Sequence, residues 1–223
     1  MLCGTGAAAA YFWRYAWCDG DHGWDATLIK SLSVGLLAGA AWAGHMPLAI
    51  TLGLALGSLG DIALCRPGRA AFLGGVAAFA LGHLAYVWGF AGHLATDGWP
   101  GWSVATGLIW GAVLALVIST EFWLIPKTGD LKMPVRAYAV IIGLTGISVT
   151  LIADFPGSNL LQLGVALFIF SDSLLALQMF VLSKARQRPG LDRLAWLCYW
   201  SAQALILFGA VGAGGTWVLQ STG

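Results

Sequence analysis

Charge is what this sequence has least of. Only 9% of its 223 residues are Asp, Glu, Lys or Arg, against about 25% in soluble globular domains. That shortage excludes a separate soluble domain, because too little polar sequence is left to cover one. Net charge is missing too, since eleven Lys and Arg against ten Asp and Glu leave a formal +1. Such a balance offers no electrostatic footprint for phosphates in a strand or duplex, so no nucleic acid is expected as a partner. Cysteine is scarce. Cys3, Cys18, Cys65 and Cys198 show neither C-x-x-C spacing nor an even ladder, which argues against a disulfide scaffold and a zinc ribbon. The four histidines form no H-x-x-x-H or H-E-x-x-H, so no metal site is expected. With no phosphate-cradling Gly loop either, no cofactor is expected.

What is abundant is apolar. Hydrophobic residues make up 59% of the chain, with 31 Gly and 12 Trp, both common in membrane-spanning segments. The composition reads as an all-α integral membrane protein with one transmembrane domain over 1–223. A helix needs about 20 mostly apolar residues to cross the hydrocarbon core. Reading from one turn or charge cluster to the next gives eight transmembrane helices, at 1–17, 28–44, 46–65, 70–94, 102–125, 134–153, 157–182 and 194–219. Gly44-His45-Met46-Pro47, Arg66-Pro67-Gly68, Asp97-Gly98-Trp99-Pro100, Asp154-Phe155-Pro156-Gly157 and Arg188-Pro189-Gly190 supply the breaks. The first span is short, rich in Ala and carries Arg14. Residues 1–13 contain no basic n-region, so a signal peptide is the less favoured reading.

The basic residues orient this map. Arg14 and Lys30 flank the first connection, and Arg66 and Arg69 fill the third. Lys127, Lys132 and Arg136 mark the fifth, and Lys184, Arg186, Arg188 and Arg193 the seventh. All eleven fall on one side, which the positive-inside rule makes cytoplasmic, with both termini external. Trp17, Trp24, Trp42, Trp99, Trp102, Trp123, Trp196 and Trp217 sit near span ends, as an aromatic belt requires, and Trp110 is the exception.

Polar residues inside spans are costly unless they have a partner or a use. Asp61 lies near the cytoplasmic end of the third span, next to Ser58 in Ser58-Leu59-Gly60-Asp61. Asp172 lies deeper in the seventh, beside Ser171. His83 is mid-span in the fourth helix, where Gly75, Phe79, His83 and Tyr86 share a face. Tyr199 and Gln203 share a face of the eighth helix. Lys30 and Arg136-Ala137-Tyr138 open the second and sixth from the cytoplasmic side. The external half offers only His45, His93, Asp97 and Asp154, at loops. Each residue also has a structural reading: an ion pair for the acids, packing for His83 and the tyrosines, snorkelling for Lys30 and Arg136. Gly53 and Gly57 form a G-x-x-x-G that reads first as close helix packing.

A faint repeat connects these parts. Lys30, Asp61 and His83 occupy spans two, three and four; Arg136, Asp172 and the Tyr199/Gln203 pair occupy six, seven and eight. Two parallel four-helix repeats related by an axis along the membrane normal would bring Asp61 and Asp172 face to face across a central cavity.

The order of these elements resembles the YhhN family, from about residue 28 to 210. The resemblance is carried by Lys30-Ser31, S-L-G-D at 58–61, G-x-x-x-F-x-x-x-H-x-x-Y at 75–86, R-A-Y at 136–138, G-x-x-x-F-x-x-S-D at 164–172 and Y-W-x-A-Q at 199–203. Ser31 departs from the family pattern, in which Pro commonly follows the Lys. The resemblance implies an eight-helix membrane ether hydrolase, a lysoplasmalogenase, placed here in a bacterial inner membrane with its active site toward the cytoplasm. Its substrate would be a lysophospholipid drawn from membrane lipid. Cleavage of the vinyl ether would release a fatty aldehyde and a glycerophospho-ethanolamine or -choline. Asp61 and Asp172 would be the catalytic pair.

That chemistry suits the residues. Vinyl ether hydrolysis begins with proton donation to the β carbon, and water traps the resulting oxocarbenium ion. One carboxyl must be protonated and one ionised; an apolar surround favours the first state and nearby cations the second. Asp172 is the candidate acid, and Asp61, nearer Lys30, would stabilise the cation or activate water; the reverse assignment stays open. Lys30 and Arg136 would hold the lipid phosphate. Ser58, His83, Tyr86, Tyr138, Ser171, Tyr199 and Gln203 complete the substrate-binding set. The competing class is a proton-coupled carrier, which would want polar lining on both sides of the membrane.

Overall fold

A computed structural model describes residues 2–14, 23–152, 155–182 and 189–212. Trp17, Cys18, Asp154, Lys184, Arg186, Arg188 and Trp217 lie outside the described residues, as do the side chains of Arg14 and Asp97. Eight α-helices are present among those described: α1 (Leu2–Arg14), α2 (Trp24–Ala43), α3 (Leu48–Leu64), α4 (Arg69–Asp97), α5 (Val104–Trp123), α6 (Lys132–Ser148), α7 (Ser158–Ala176) and α8 (Pro189–Gly212). Short 3-10 turns at Ile125–Lys127, Gly129–Leu131 and Val149–Leu151 flank α5 and α6, and a π-helical turn at Leu177–Val181 ends α7.

Local chemistry sets the boundaries. Pro47 caps α3, Ser103 accepts from the Thr106 N–H at the start of α5, and Pro189 opens α8, where its missing N–H costs nothing. Gly68 and Gly157 take the left-handed φ values of 101° and 116° that turn the chain into α4 and α7. Among the described residues six segments are long and apolar enough to cross a membrane, so the chain is a multi-pass integral membrane protein. At 17 residues α3 is shorter than the usual ~20-residue span, and the described part of α1 has 13.

Helices α2, α3 and α4 pack in sequence as antiparallel neighbours, α7 pairs with α8, and α6 leans on α4. The core between them is built from Val34 and Leu37 of α2, Ile50 and Leu54 of α3, Phe90 of α4, Leu161 and Phe168 of α7, and Ile206 of α8. Helix α5 is held by α6 and the turn that follows it, and Thr120 is its one buried residue. Lys30 bonds Asp61, Arg66 bonds Thr27 and Arg69 bonds Asp130, so the start of α2 and the third and fifth connections share one end of the bundle. Lys127, Lys132, Arg136 and Arg193 also belong to that end.

Candidate active site

Asp61 of α3 is fixed from two other helices. Its side chain is 2% exposed; Lys30 Nζ of α2 lies 3.2 Å from Oδ1, and the Tyr199 hydroxyl of α8 donates to Oδ2 at 2.8 Å. Small residues on α3 make the approach possible. A Cβ on Gly57 would stand 2.6 Å from Gln203 Nε2, one on Gly60 2.6 Å from the Phe79 ring, and one on Gly53 would overlap Tyr86. The Gly53/Gly57 pair therefore admits side chains of α4 and α8. Nearby, Tyr86 donates to Gln203 Oε1 at 2.7 Å, and Ser58 donates to the Ser31 carbonyl at 2.8 Å, tying α3 to α2. The Lys30 ammonium also sits 5.6 Å from the centre of the Trp196 ring, within cation–π range.

Asp172 has a different setting. Tyr138 of α6 donates to Oδ2 at 2.6 Å, and Nε2 of His83 lies 3.7 Å from the same oxygen. His83 is 1% exposed. Its ring meets Phe168 edge-on at 4.5 Å and Tyr138 at 6.0 Å. The adjacent Ser171 donates to the Ala195 carbonyl at 2.8 Å, so it pins α7 to α8.

Asp172 borders a cavity of about 100 Å³ between α4, α5, α6 and α7. Phe72, Phe79, Val117, Val135 and Ile169 are among its apolar walls; Asp172, Tyr138, Ser173 and Thr120 bring its polar groups. Asp61 does not line it, which corrects the expectation that the two acids face each other across a central cavity. Both Asp61 oxygens are already engaged. Phe79 and Phe168 meet edge-on at 6.2 Å and each meets Tyr199, at 5.8 and 5.4 Å, an aromatic cluster that touches Tyr199 beside Asp61 and, through Phe168, His83 beside Asp172.

The two expected phosphate ligands each carry a carboxylate partner. Lys30 has Asp61, and Arg136 donates from Nε and a terminal nitrogen to the two oxygens of Glu121 at 2.6 and 2.7 Å. Two residues from Tyr138, Arg136 is turned roughly 200° around the helix, toward α5. Sequence reasoning passed over Glu121; an acid near the end of an apolar span, facing a basic one, was the available signal. His93 is another correction, for it lies inside α4, buried, with its ring 5.1 Å from Phe155, and not in a loop. Trp110, the exception to the aromatic belt, donates to Thr150 at 2.8 Å.

Residues 26–210 match the YhhN family. The chain is 32% identical over 200 residues to lysoplasmalogenase TMEM86B of Homo sapiens, an alignment that covers 87% of this chain and 80% of the human protein. It is 27% identical over 210 residues to the Rattus norvegicus lysoplasmalogenase TMEM86B, covering 92% and 81%. A shorter similarity, 31% over 113 residues, joins it to the human lysosomal amino acid transporter 1 homolog, covering 49% of this chain and 38% of that one. No solved structure gives a significant match.

Proposed function

This chain belongs to the YhhN family, and from that premise we propose that it is a membrane hydrolase cleaving the vinyl ether bond of lysoplasmalogens. One observation carries the reading: Asp172 is the charged side chain lining the apolar cavity, with one carboxyl oxygen held by Tyr138. An apolar slot ending on a carboxyl suits a substrate whose reacting bond lies at the head of an alkenyl chain. Asp172 donates a proton to the β carbon, and the α carbon and ether oxygen share the positive charge. Water adds to the α carbon and returns a proton to Asp172. The hemiacetal then collapses to aldehyde and free glycerophospho-alcohol. Asp61 lies outside the cavity and acts through its field on the developing cation, in a position fixed by Lys30 and Tyr199. Binding phosphate at Lys30 or Arg136 requires the lipid to displace Asp61 or Glu121. Arg69, Lys127 and Lys132, exposed at the same end of the bundle, supply further positive charge there.

In this reading all eight helices cross the membrane as one domain, both termini are external and the site opens toward the cytoplasm of a bacterial inner membrane. The order of polar residues supports two parallel four-helix repeats. A carrier is the second reading, favoured by the partial similarity to a transporter. Gathering of the polar groups at one end of the bundle weighs against alternating access.

The test is aldehyde release from a lysoplasmalogen by purified protein, with no added metal or nucleotide. Turnover should fall about 10²- to 10⁴-fold in Asp172→Asn. In heavy-oxygen water the label should enter the aldehyde, trapped before exchange, and not the glycerol hydroxyl. An intact preparation that binds the lipid but yields no aldehyde overturns the hydrolase reading, and substrate-dependent proton flux in liposomes would then establish the carrier.

A further inference from the structure

His83 borders Asp172, yet the reaction as written gives it no part. It does not line the cavity; it stands behind the carboxyl, buried in α4. Among the described residues neither of its ring nitrogens has a hydrogen-bond partner. Leaving such a group unbonded costs about 1–3 kcal/mol, and a phenyl ring would fill the same slot without that cost. The groups around it are Phe168 of α7, Tyr138 of α6, Tyr86 of its own helix at 6.4 Å, and the Asp172 carboxylate. The 3.7 Å from Nε2 to Oδ2 is too long for a hydrogen bond; closing it by about 0.8 Å makes one.

We propose that His83 is a positioning residue for Asp172, holding an Nε2–H in reserve for the carboxylate that exists only after Asp172 has given up its proton. The inference rests on the hydrolase reading above. The proton leaves Asp172 for the β carbon, and the π electrons of the double bond form the new C–H bond. Negative charge then grows on the carboxylate. Oδ2, already accepting from Tyr138, draws in the imidazole N–H as a second, charge-assisted donor. When water adds to the α carbon and its proton returns to Asp172, that bond lengthens again. His83 itself neither gains nor loses a proton. A donor that engages only as charge develops lowers the barrier without tightening ground-state binding. Its absence therefore appears in kcat and not in KM.

Four forms of the full-length protein in detergent test this: wild type, His83→Phe, His83→Gln and His83→Asn. Phe keeps the ring and removes the donor; the Gln amide reaches the Nε2 position, and the shorter Asn amide reaches only the Nδ1 position. We expect kcat to fall about a hundredfold in His83→Phe and His83→Asn, with KM within twofold and unfolding temperatures near wild type. His83→Gln should recover most of the lost rate. Wild-type kcat in His83→Phe, or equal losses in His83→Gln and His83→Asn, overturns the proposal. An infrared readout needs no turnover. The ionised Asp172 carboxylate band, recorded at alkaline pH and assigned by its loss in Asp172→Asn, should shift in His83→Asn and stay near the wild-type position in His83→Gln. The same band position in all forms overturns the proposal as well. A wild type that releases no aldehyde refutes the hydrolase reading separately, while the infrared comparison still decides whether His83 bonds Asp172.

Discussion

Replacing Asp61 by Asn removes the charge that Lys30 is paired with, and the cost can be worked from the geometry. Breaking a buried pair from one side costs about 3–5 kcal/mol, because the remaining charge is left uncompensated. The Lys30 side chain is 21% exposed and can lean toward water, which puts Asp61→Asn at the lower end, about 3 kcal/mol. Lys30→Met strands a carboxylate that is 2% exposed and supported by Tyr199 alone, so about 4 kcal/mol is expected. The double variant buries no charge and keeps an acceptor for Tyr199; it should lose only about 1 kcal/mol. Asp172→Asn is the contrast. Its side-chain oxygen still accepts from Tyr138 and no cation is abandoned, so stability should stay within about 1 kcal/mol of wild type. Thermal unfolding in a mild detergent reads these differences, with about 2–4 °C for each kcal/mol in a chain of this size. Equal losses in Asp61→Asn and Asp172→Asn, or a double variant as unstable as the sum of its parts, would refute the reasoning. Should the double variant be stable yet inactive, the Lys30–Asp61 pair is required by the chemistry as well as by the fold.

Other expectations follow from the packing and the charge asymmetry. Gly57→Ala should lower stability by about 1–3 kcal/mol and reduce turnover, since its Cβ presses on Gln203 and lies 3.2 Å from the Tyr199 hydroxyl. Gly39→Ala, with no atom within 4 Å, should stabilise by up to about 1 kcal/mol through helix propensity; if the two variants behave alike in a melt, the Gly57 contact is not the cause. In a variant lacking its natural cysteines, Pro100→Cys should react with an impermeant maleimide in intact cells, and Asp130→Cys only after permeabilisation. The opposite pattern inverts the proposed orientation.

Much of the helical arrangement was legible because its signals are local. Pro and Gly at 67–68, 98–101, 156–157 and 189–190 interrupt an otherwise continuous apolar chain, and each interruption lies at or beside a helix end. Asp61 and Asp172 stood out because an acid within an apolar run has few inexpensive explanations. Their partners were not legible. Tyr199 lies 138 positions from Asp61 and Tyr138 lies 34 from Asp172, and helical periodicity carries no information across such distances. Nor does periodicity reveal that Phe79 fills the notch at Gly60, or that Asp61 stays out of the cavity that Asp172 borders. The end of the fourth span was set three residues short for a related reason. Asp97, Gly98 and Pro100 signal a turn, yet α4 continues to Asp97 before Gly98, at φ 81°, ends it.

The weak anchoring of α5 has a consequence for how the protein samples its surroundings. This helix forms one wall of the cavity, is held mainly by α6, and turns Val104, Leu108 and Phe122 outward. An amphiphile already dissolved in the bilayer can reach such a wall by lateral diffusion, without first escaping into water. The concentration that governs occupancy is then two-dimensional, the mole fraction of substrate among the surrounding lipids. Diluting a fixed amount of substrate with inert detergent lowers that fraction and slows turnover, even though the amount per millilitre is unchanged.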